Sequence, residues 1–369
     1  ATQENGESAT ISDSEKVDFG RQITIYESGE LTLTMDNTVD PVDSTQYILA
    51  GSEGNKVVRF KIKADYEDIK VTKLMAVTDD GLSARSVSGA HITDEDGNVL
   101  ASDVMISTGV SASSTVTFED DNGLFTVEEG THYYYLTLDL KSMGDGATET
   151  AASDDSFTIY FTDLEGQGLS GNDVTYGSGV SYGSGSTESA TGNQAKVVGV
   201  QITSITDQTS AGFSSGETTV FKFDVTTADS DNASSTGDTL KAELRNLNVL
   251  FTYTTDTATG SEIKLYRQGK TGYATTSLPS SESEASFDLT GTSTSADWSA
   301  SNYEINQGET ATFYIKATVQ DANSNTADYV QCKIQDLTSG GDVTWYDGAT
   351  EYTDLRLNYT EVVGTSVSQ

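Results

Sequence analysis

The side chains with most chemical potential in this sequence are carboxylates gathered in short polar turns. Glu119, Asp120, Asp121 and Asn122 stand in the run EDDNG, and Asp229, Asp231, Asn232 and Asp238 in DSDNASSTGD. Hard oxygen donors at this density suit calcium, which takes about six to eight oxygens from carboxylates and carbonyls. The motive would be electrostatic, since a divalent ion bridges like-charged surfaces. A third cluster, Asp94, Asp96 and Asn98, copies the alternating D-x-D-x-N opening of a helix-flanked calcium loop. Met105 occupies the place where that loop needs its bidentate Glu, so the cluster reads as a hairpin turn around Asp96-Gly97. No cofactor is required by any pattern, and calcium is the one optional ligand.

Other chemistry is sparsely supplied. The two histidines, His91 and His132, share no HxH or HxxxH spacing. No nucleophile elbow, zinc-binding HExxH or phosphate-binding loop is present, and the GSG triplets at 177–185 precede no helical pattern. The single cysteine, Cys332, alternates with Val330 and Ile334, as a small core residue does. Carboxylate pairs abound, as in any acidic chain, but a glycosidase needs two that face each other in one groove. The expectation is a protein that is not an enzyme. An aromatic pool of Tyr133, Tyr134, Tyr135, Tyr176, Tyr182, Trp298, Trp345 and Tyr346 offers a sugar-binding face as the alternative use of this surface.

The elements that must carry these turns are strands. Apolar residues alternate at Leu31, Leu33 and Met35, at Val58, Phe60 and Ile62, at Leu136, Leu138 and Leu140, at Phe221, Phe223 and Val225, and at Phe313, Ile315 and Ala317. Period two over five to seven residues means half-buried strands. Helical periodicity is absent. Thirty-four glycines against two prolines fit many short strands joined by tight turns.

The chain is also written twice. FTVEEGTHYYYLTL, from Phe125, is answered by YEINQGETATFYIKAT, from Tyr303. GNKVVRFKIKAD (54–65) is answered by GETTVFKFDVTTAD (216–229), and FTDLEGQGLSGNDVTY (161–176) by IQDLTSGGDVTW (334–345). Landmarks in one order predict an all-β chain of two tandem Ig-like β-sandwich domains related by internal duplication. The expected boundaries are an N-terminal extension 1–28, a first module 29–180, a Gly/Ser-rich linker 181–195, a second module 196–358 and a C-terminal strand 359–369. A smaller phrase recurs three times: KVDFGRQIT (16–24), KVVGVQIT (196–203) and EVVGTSVS (361–368). It stands before each module and again at the chain end, where it is either a closing strand for the second module or a strand offered to a neighbour. Val362, Val363 and Val367 at one end, and Val17, Phe19, Ile23 and Ile25 at the other, are the candidate inter-subunit strand residues.

LTLTMDN…ILAGSEGNKVVRFKIKADYEDIKVTKL (31–74) and YEINQGETATFYIKATV (303–319) resemble the β-sandwich repeats of secreted, surface-layer-like proteins of Patescibacteria. Phe60, Lys61, Ala64, Glu67, Asp68, Val71, Thr72, Lys73 and Leu74 carry the likeness. The second module departs from it at DSDNASSTGD (229–238). The resemblance implies an extracellular structural role and no chemistry. SGELTLTMDN (28–37) is more faintly similar to TasA-type fibre and bundling-pilus subunits.

Charge narrows the partners. Fifty-seven acidic residues against 20 basic give −37, which disfavours nucleic acid and anionic membrane. No apolar run is long enough to span a bilayer, and a chain that starts at Ala1 reads as a processed, secreted product. Asn232-Ala-Ser and Asn358-Tyr-Thr match the glycosylation sequon. The sequence therefore points to a cell-surface structural subunit of a filament, pilus-like fibre or S-layer. Its partner is itself, joined head-to-tail by β-strand complementation. The alternative is a secreted adhesin or carbohydrate-binding surface protein whose partners are cell-surface glycans.

Overall fold

The computed structural model describes residues 29–78, 83–103, 114–144, 150–175, 180–182, 188–189, 195–212, 215–230, 233–254, 257–320 and 328–368. Their regular secondary structure is almost entirely β-strand, with one four-residue α-helix, Ala300–Tyr303, among the described residues. The chain divides into two compact units. Unit 1 draws its described residues from the spans Ala1–Ser44, Gly54–Leu138 and Phe157–Gln194. Unit 2 draws on Thr45–Glu53, Asp139–Ser156 and Ala195–Gln369.

In unit 1, one sheet runs in the order Val180–Tyr182, Glu30–Met35, Asn55–Asp65, Gly130–Leu140, Val87–Asp94, Val99–Asp103. A second is built on Ile159–Gln167, Ile69–Thr78 and Ser114–Glu119. Alternation sends Leu31, Leu33, Phe60 and Ile62 of the first sheet inward, with Val71, Leu74, Phe118 and Phe161 of the second; all are buried. The Phe60 and Phe161 rings meet across the sandwich at 4.6 Å. Each such side chain contributes about 1.5–3 kcal/mol on burial.

Unit 2 repeats the plan. Its first sheet runs Ile202–Asp207, Gly216–Thr227, Thr310–Val319, Ala258–Arg267, Ala274–Ser277. That is the same pairing order, by position along the chain, as the strands from Glu30–Met35 to Val99–Asp103. Each sheet carries a facing aromatic pair: Phe60 lies opposite Tyr134 in unit 1, and Phe223 opposite Phe313 in unit 2. Those ring pairs sit 5.8 Å and 5.6 Å apart. The second sheet forms on the long strand Lys241–Tyr253, which pairs with Ser283–Asp288, Glu304–Asn306, Tyr329–Ile334 and Val343–Tyr346.

The expected domain boundaries need correction. Residues 45–53 and 139–156 lie inside the first module by sequence, yet they pack with unit 2. Tyr47 explains the first. Its hydroxyl donates to Asp354 Oδ1, and its ring packs edge-on against Trp345 and Tyr352, at 6.1 Å and 5.0 Å. Buried Asp347 explains the second: its Oδ2 accepts from Ser153 Oγ at 2.7 Å and from Gly199 N at 3.0 Å. The expected linker 181–195 also holds strand pairing, since Val180–Tyr182 runs parallel to Glu30–Met35 and Glu188–Ser189 pairs with Ile159–Gln167.

Of the two readings of the C-terminal strand, 359–369, the structure takes the closing one: it is seated in its own unit. Val362–Val363 and Val367–Ser368 pair antiparallel with Tyr329–Ile334. The strand is tethered close to this edge, which gives intramolecular pairing a high effective concentration. Gly364 makes the approach feasible: a Cβ there would lie 2.8 Å from both Cys332 O and Phe221 Cδ2. The Tyr359 hydroxyl accepts from Ile205 N at 2.7 Å and donates to Ile205 O at 2.9 Å. Asp207 Oδ2 accepts from Thr365 N and Oγ1 at 2.9 Å and 2.8 Å.

Gly364→Val is expected to lower the melting temperature of unit 2, because overpacking costs about 1–3 kcal/mol and each kcal/mol is worth roughly 2–4 °C in a domain of this size. An unchanged calorimetric trace would contradict the close approach. Burial pushes the Asp207 carboxyl up, but the hydrogen bonds from Thr209 and Thr365 outweigh it and hold the group below its ordinary value. Its contribution is therefore present above about pH 4, the unfolded value, and is lost as pH falls through the folded one. Melting curves should show Asp207→Asn less stable than the parent at pH 7, with the difference shrinking below about pH 4.

Candidate functional site

In the acidic turns proposed for calcium, Asp120 and Asp238 make hydrogen bonds within their own turns. Gly123 N donates to Asp120 O at 2.8 Å, and Asp120 Oδ1 accepts from Asn122 N at 2.8 Å. Glu119 and Asp121 are exposed. In the other loop, Asp238 Oδ2 accepts from Thr236 Oγ1 at 2.8 Å, and Asp229 lies against Gly308, while Asp231 and Asn232 fall outside the described residues. Among the described residues no three His, Cys, Asp or Glu side chains converge as metal ligands do. Asp94, Asp96 and Asn98 form the hairpin turn expected of them. Asn98 hydrogen bonds, side chain first and then backbone, hold the Asp94 carboxyl below its ordinary value.

Of the candidate inter-subunit residues, Val17, Phe19, Ile23 and Ile25 lie outside the described residues. The C-terminal three take the alternating positions of an edge strand: Val362 and Val367 are buried, and Val363 is 45% exposed. Their pairing with Tyr329–Ile334 comes in two short pieces. Between them, Gly364 N donates to Cys332 O at 2.8 Å, and Gln331 Nε2 donates to Gly364 O at 3.1 Å. Chemically this is an acceptor edge: a row of backbone donors and acceptors beside apolar slots, which binds an extended strand by main-chain pairing and side-chain fit. Cys332 beneath it is fully buried, and burial pushes its thiol up, as in an inert core residue.

The aromatic pool divides between core and surface. Tyr134 packs on Phe125 and Phe60. Burial, then the Asp94 and Glu128 charges, push its hydroxyl up to about 12. Trp298 and Trp345 are buried, with indole N–H groups donating to Leu289 O and Asp354 O. Tyr176 is outside the described residues, and Tyr182 is placed only as a strand residue. Tyr133 and Tyr346, half-buried, and Tyr135, buried, carry cations: Arg59 lies 4.0 Å from the Tyr133 ring centre, Lys56 4.0 Å from Tyr135, and Arg245 4.0 Å from Tyr346.

One aromatic face was not in that pool. On the outer side of the first sheet of unit 2, Tyr266 and Tyr314 stack at 5.2 Å with ring planes 8° apart, and Tyr273 follows at 5.5 Å. Lys316 and Lys264 lie over Tyr266 and Tyr273, at 5.3 Å and 5.1 Å. Strict alternation was the available signal, since Ile263 and Leu265, and Phe313 and Ile315, point inward and leave Tyr266 and Tyr314 on the opposite face.

No protein-family model and no curated protein matches the chain. Among solved structures, one titled BspA_C_mut overlaps 92% of this chain and 98% of its own, at 9% identity and a TM-score of 0.23. A biofilm associated protein B domain overlaps 92% and 85%, at 8% identity and 0.18. A cohesin–dockerin complex from Clostridium thermocellum overlaps 48% and 98%, at 12% identity and 0.23. Overlaps at these scores carry no argument about family or activity.

The stacked tyrosines are expected to contribute through cross-strand contact, worth about 0.2–1 kcal/mol per pair. In a double-mutant cycle, Tyr266→Ala and Tyr314→Ala should couple by that amount in denaturant unfolding. Strictly additive losses would contradict the contact.

Proposed function

We propose that this chain is a structural subunit of an extracellular, cell-surface polymer, and that copies join when a strand from one pairs with a sheet edge of the next. The observation that supports the reading best is the fate of the recurring strand phrase. Its copy at 196–203 enters the Ala195–Val198 strand, which runs parallel to Gln46–Leu49, and Val197 exchanges backbone bonds with Asp154 and Asp155. Its copy at 361–368 pairs with Tyr329–Ile334. In both, the apolar members of the phrase are buried: Val197, Val198, Val200 and Ile202 in one, Val362 and Val367 in the other.

The remaining copy, KVDFGRQIT at 16–24, alternates in the same way at Val17, Phe19 and Ile23, continued by Ile25 just after it. It precedes Gly29 on a stretch that spans up to roughly 90 Å if extended, at about 3.3 Å per residue, ample for reaching a second copy. With the C-terminal copy engaged in its own unit, the N-terminal segment is the donor this reading favours. Backbone pairing of this kind supplies attraction that does not draw on side-chain charge, although copies of a chain of net charge −37 repel one another. Screening salt or divalent cations would aid it further.

The adhesive alternative gains support from the tyrosine–lysine face of unit 2, which pairs aromatic surface with the scarce cations Lys264 and Lys316. Adhesion and assembly are compatible on one sandwich, and no catalytic step belongs to either.

Electron microscopy and sedimentation of three chains test the proposal. The full chain should form polymers, and removal of residues 1–28 should leave folded, monomeric protein. Removal of 361–369 should instead lower the melting temperature of unit 2, because it strips Val362 and Val367 from the core. Normal polymers from the chain lacking 1–28 would overturn N-terminal donation, and a full chain that stays monomeric under all salt and calcium conditions would overturn assembly itself.

A further inference from the structure

In unit 2 a recess of about 150 Å³ opens beside the start of the Lys241–Tyr253 strand and the turn after Ala258–Arg267. Its frame is rigidly bonded. Arg267, 4% exposed, donates through Nη1 to Ser301 O at 3.0 Å and to Glu304 O, and through Nη2 to Glu309 Oε1. Glu309 Oε2 in turn accepts from Asn306 N and Nδ2, both at 3.0 Å. Lys241 Nζ sits 2.8 Å from Glu304 Oε2. Lys270 completes the lining; it is exposed, and among the described residues its ammonium meets no carboxylate.

The local charge is inverted relative to the chain. Three cations, Lys241, Arg267 and Lys270, face two carboxylates, Glu304 and Glu309, in a protein with 20 basic and 57 acidic residues. Among the described residues, no aromatic ring and no aliphatic side chain lines the recess. Its volume is of the order that accommodates one six-membered ring. A neutral sugar would leave Lys270 uncompensated. An acidic peptide side chain would bring a carboxylate beside Glu304 with no hydroxyl to donate to it. A ring that carries both a carboxylate and hydroxyls meets both remaining needs: the carboxylate pairs with the Lys270 ammonium, and a hydroxyl donates to Glu304.

We infer that this recess binds a uronate residue of an acidic polysaccharide, with Lys270 as the partner of the sugar carboxylate. The site uses neither chain terminus, so its success or failure is independent of assembly.

Titration calorimetry on the full chain, in calcium-free buffer at low salt, tests it with trigalacturonate as the probe, and with maltotriose and triglutamate as controls. Trigalacturonate should bind, and the two controls should bind at least about tenfold more weakly, a difference of roughly 1.4 kcal/mol. Lys270→Glu should weaken trigalacturonate by about tenfold or more, Lys270→Arg should stay within a few-fold of the parent, and Lys63→Glu, at an exposed strand position of unit 1, should change nothing. Melting curves check that each variant is folded, and Lys270→Gln replaces Lys270→Glu if the latter is not. Absence of trigalacturonate binding, equal binding of triglutamate, or a folded Lys270 charge variant with unchanged affinity would each overturn the inference.

Discussion

A β-sheet edge presents backbone N–H and C=O groups that need a partner, and the fate of those edges governs what this chain can do. Inside each sandwich the requirement is met by neighbouring strands. At the rim of unit 2 it is met by improvised means. Two two-residue strands from the chain end cover Tyr329–Ile334, the Tyr359 hydroxyl serves both backbone groups of Ile205, and the Asp207 carboxylate takes the Thr365 amide and hydroxyl. Broken pairing of this sort covers an edge with few bonds per residue, so it yields more readily than a continuous ladder. An uninterrupted strand carrying the same alternation would form more of the ladder. This makes exchange between copies physically reasonable even though the C-terminal segment sits in its own unit.

The parts of the fold legible in the sequence were those set by local periodicity. Alternation at Val58, Phe60 and Ile62, and at Phe313, Ile315 and Ala317, names inward-facing residues without knowledge of their partners, and the Asp96-Gly97 turn announces its own hairpin. The paired landmarks around Gly130 and Gly308 likewise anticipate the matching strand orders. Residues 45–53 and 139–156 were not legible. Their place in unit 2 depends on Tyr47 meeting Trp345 and Tyr352, and on Ser153 meeting Asp347, contacts between residues some 200 or 300 positions apart. Sequence spacing carries no trace of such meetings.

The surface was harder still to read. Acidic turns look like ligand sets because a sequence records carboxylates and not the direction they point. Asp120 and Asp94 turn their oxygens onto the backbone of their own loops, which is what Asp does in most turns. Conversely, the Lys241, Arg267 and Lys270 recess joins residues whose spacing suggests nothing, and it stands out only against the excess of negative charge around it.

The account rests on one claim about segment 16–25: it pairs its backbone with another copy when polymers form. Hydrogen–deuterium exchange on matched monomeric and assembled samples measures this directly. The account predicts that amides of 16–25 exchange rapidly in the monomer and become strongly protected in the assembled material, along with those of a receiving sheet edge. Equal protection of 16–25 in both samples would contradict it.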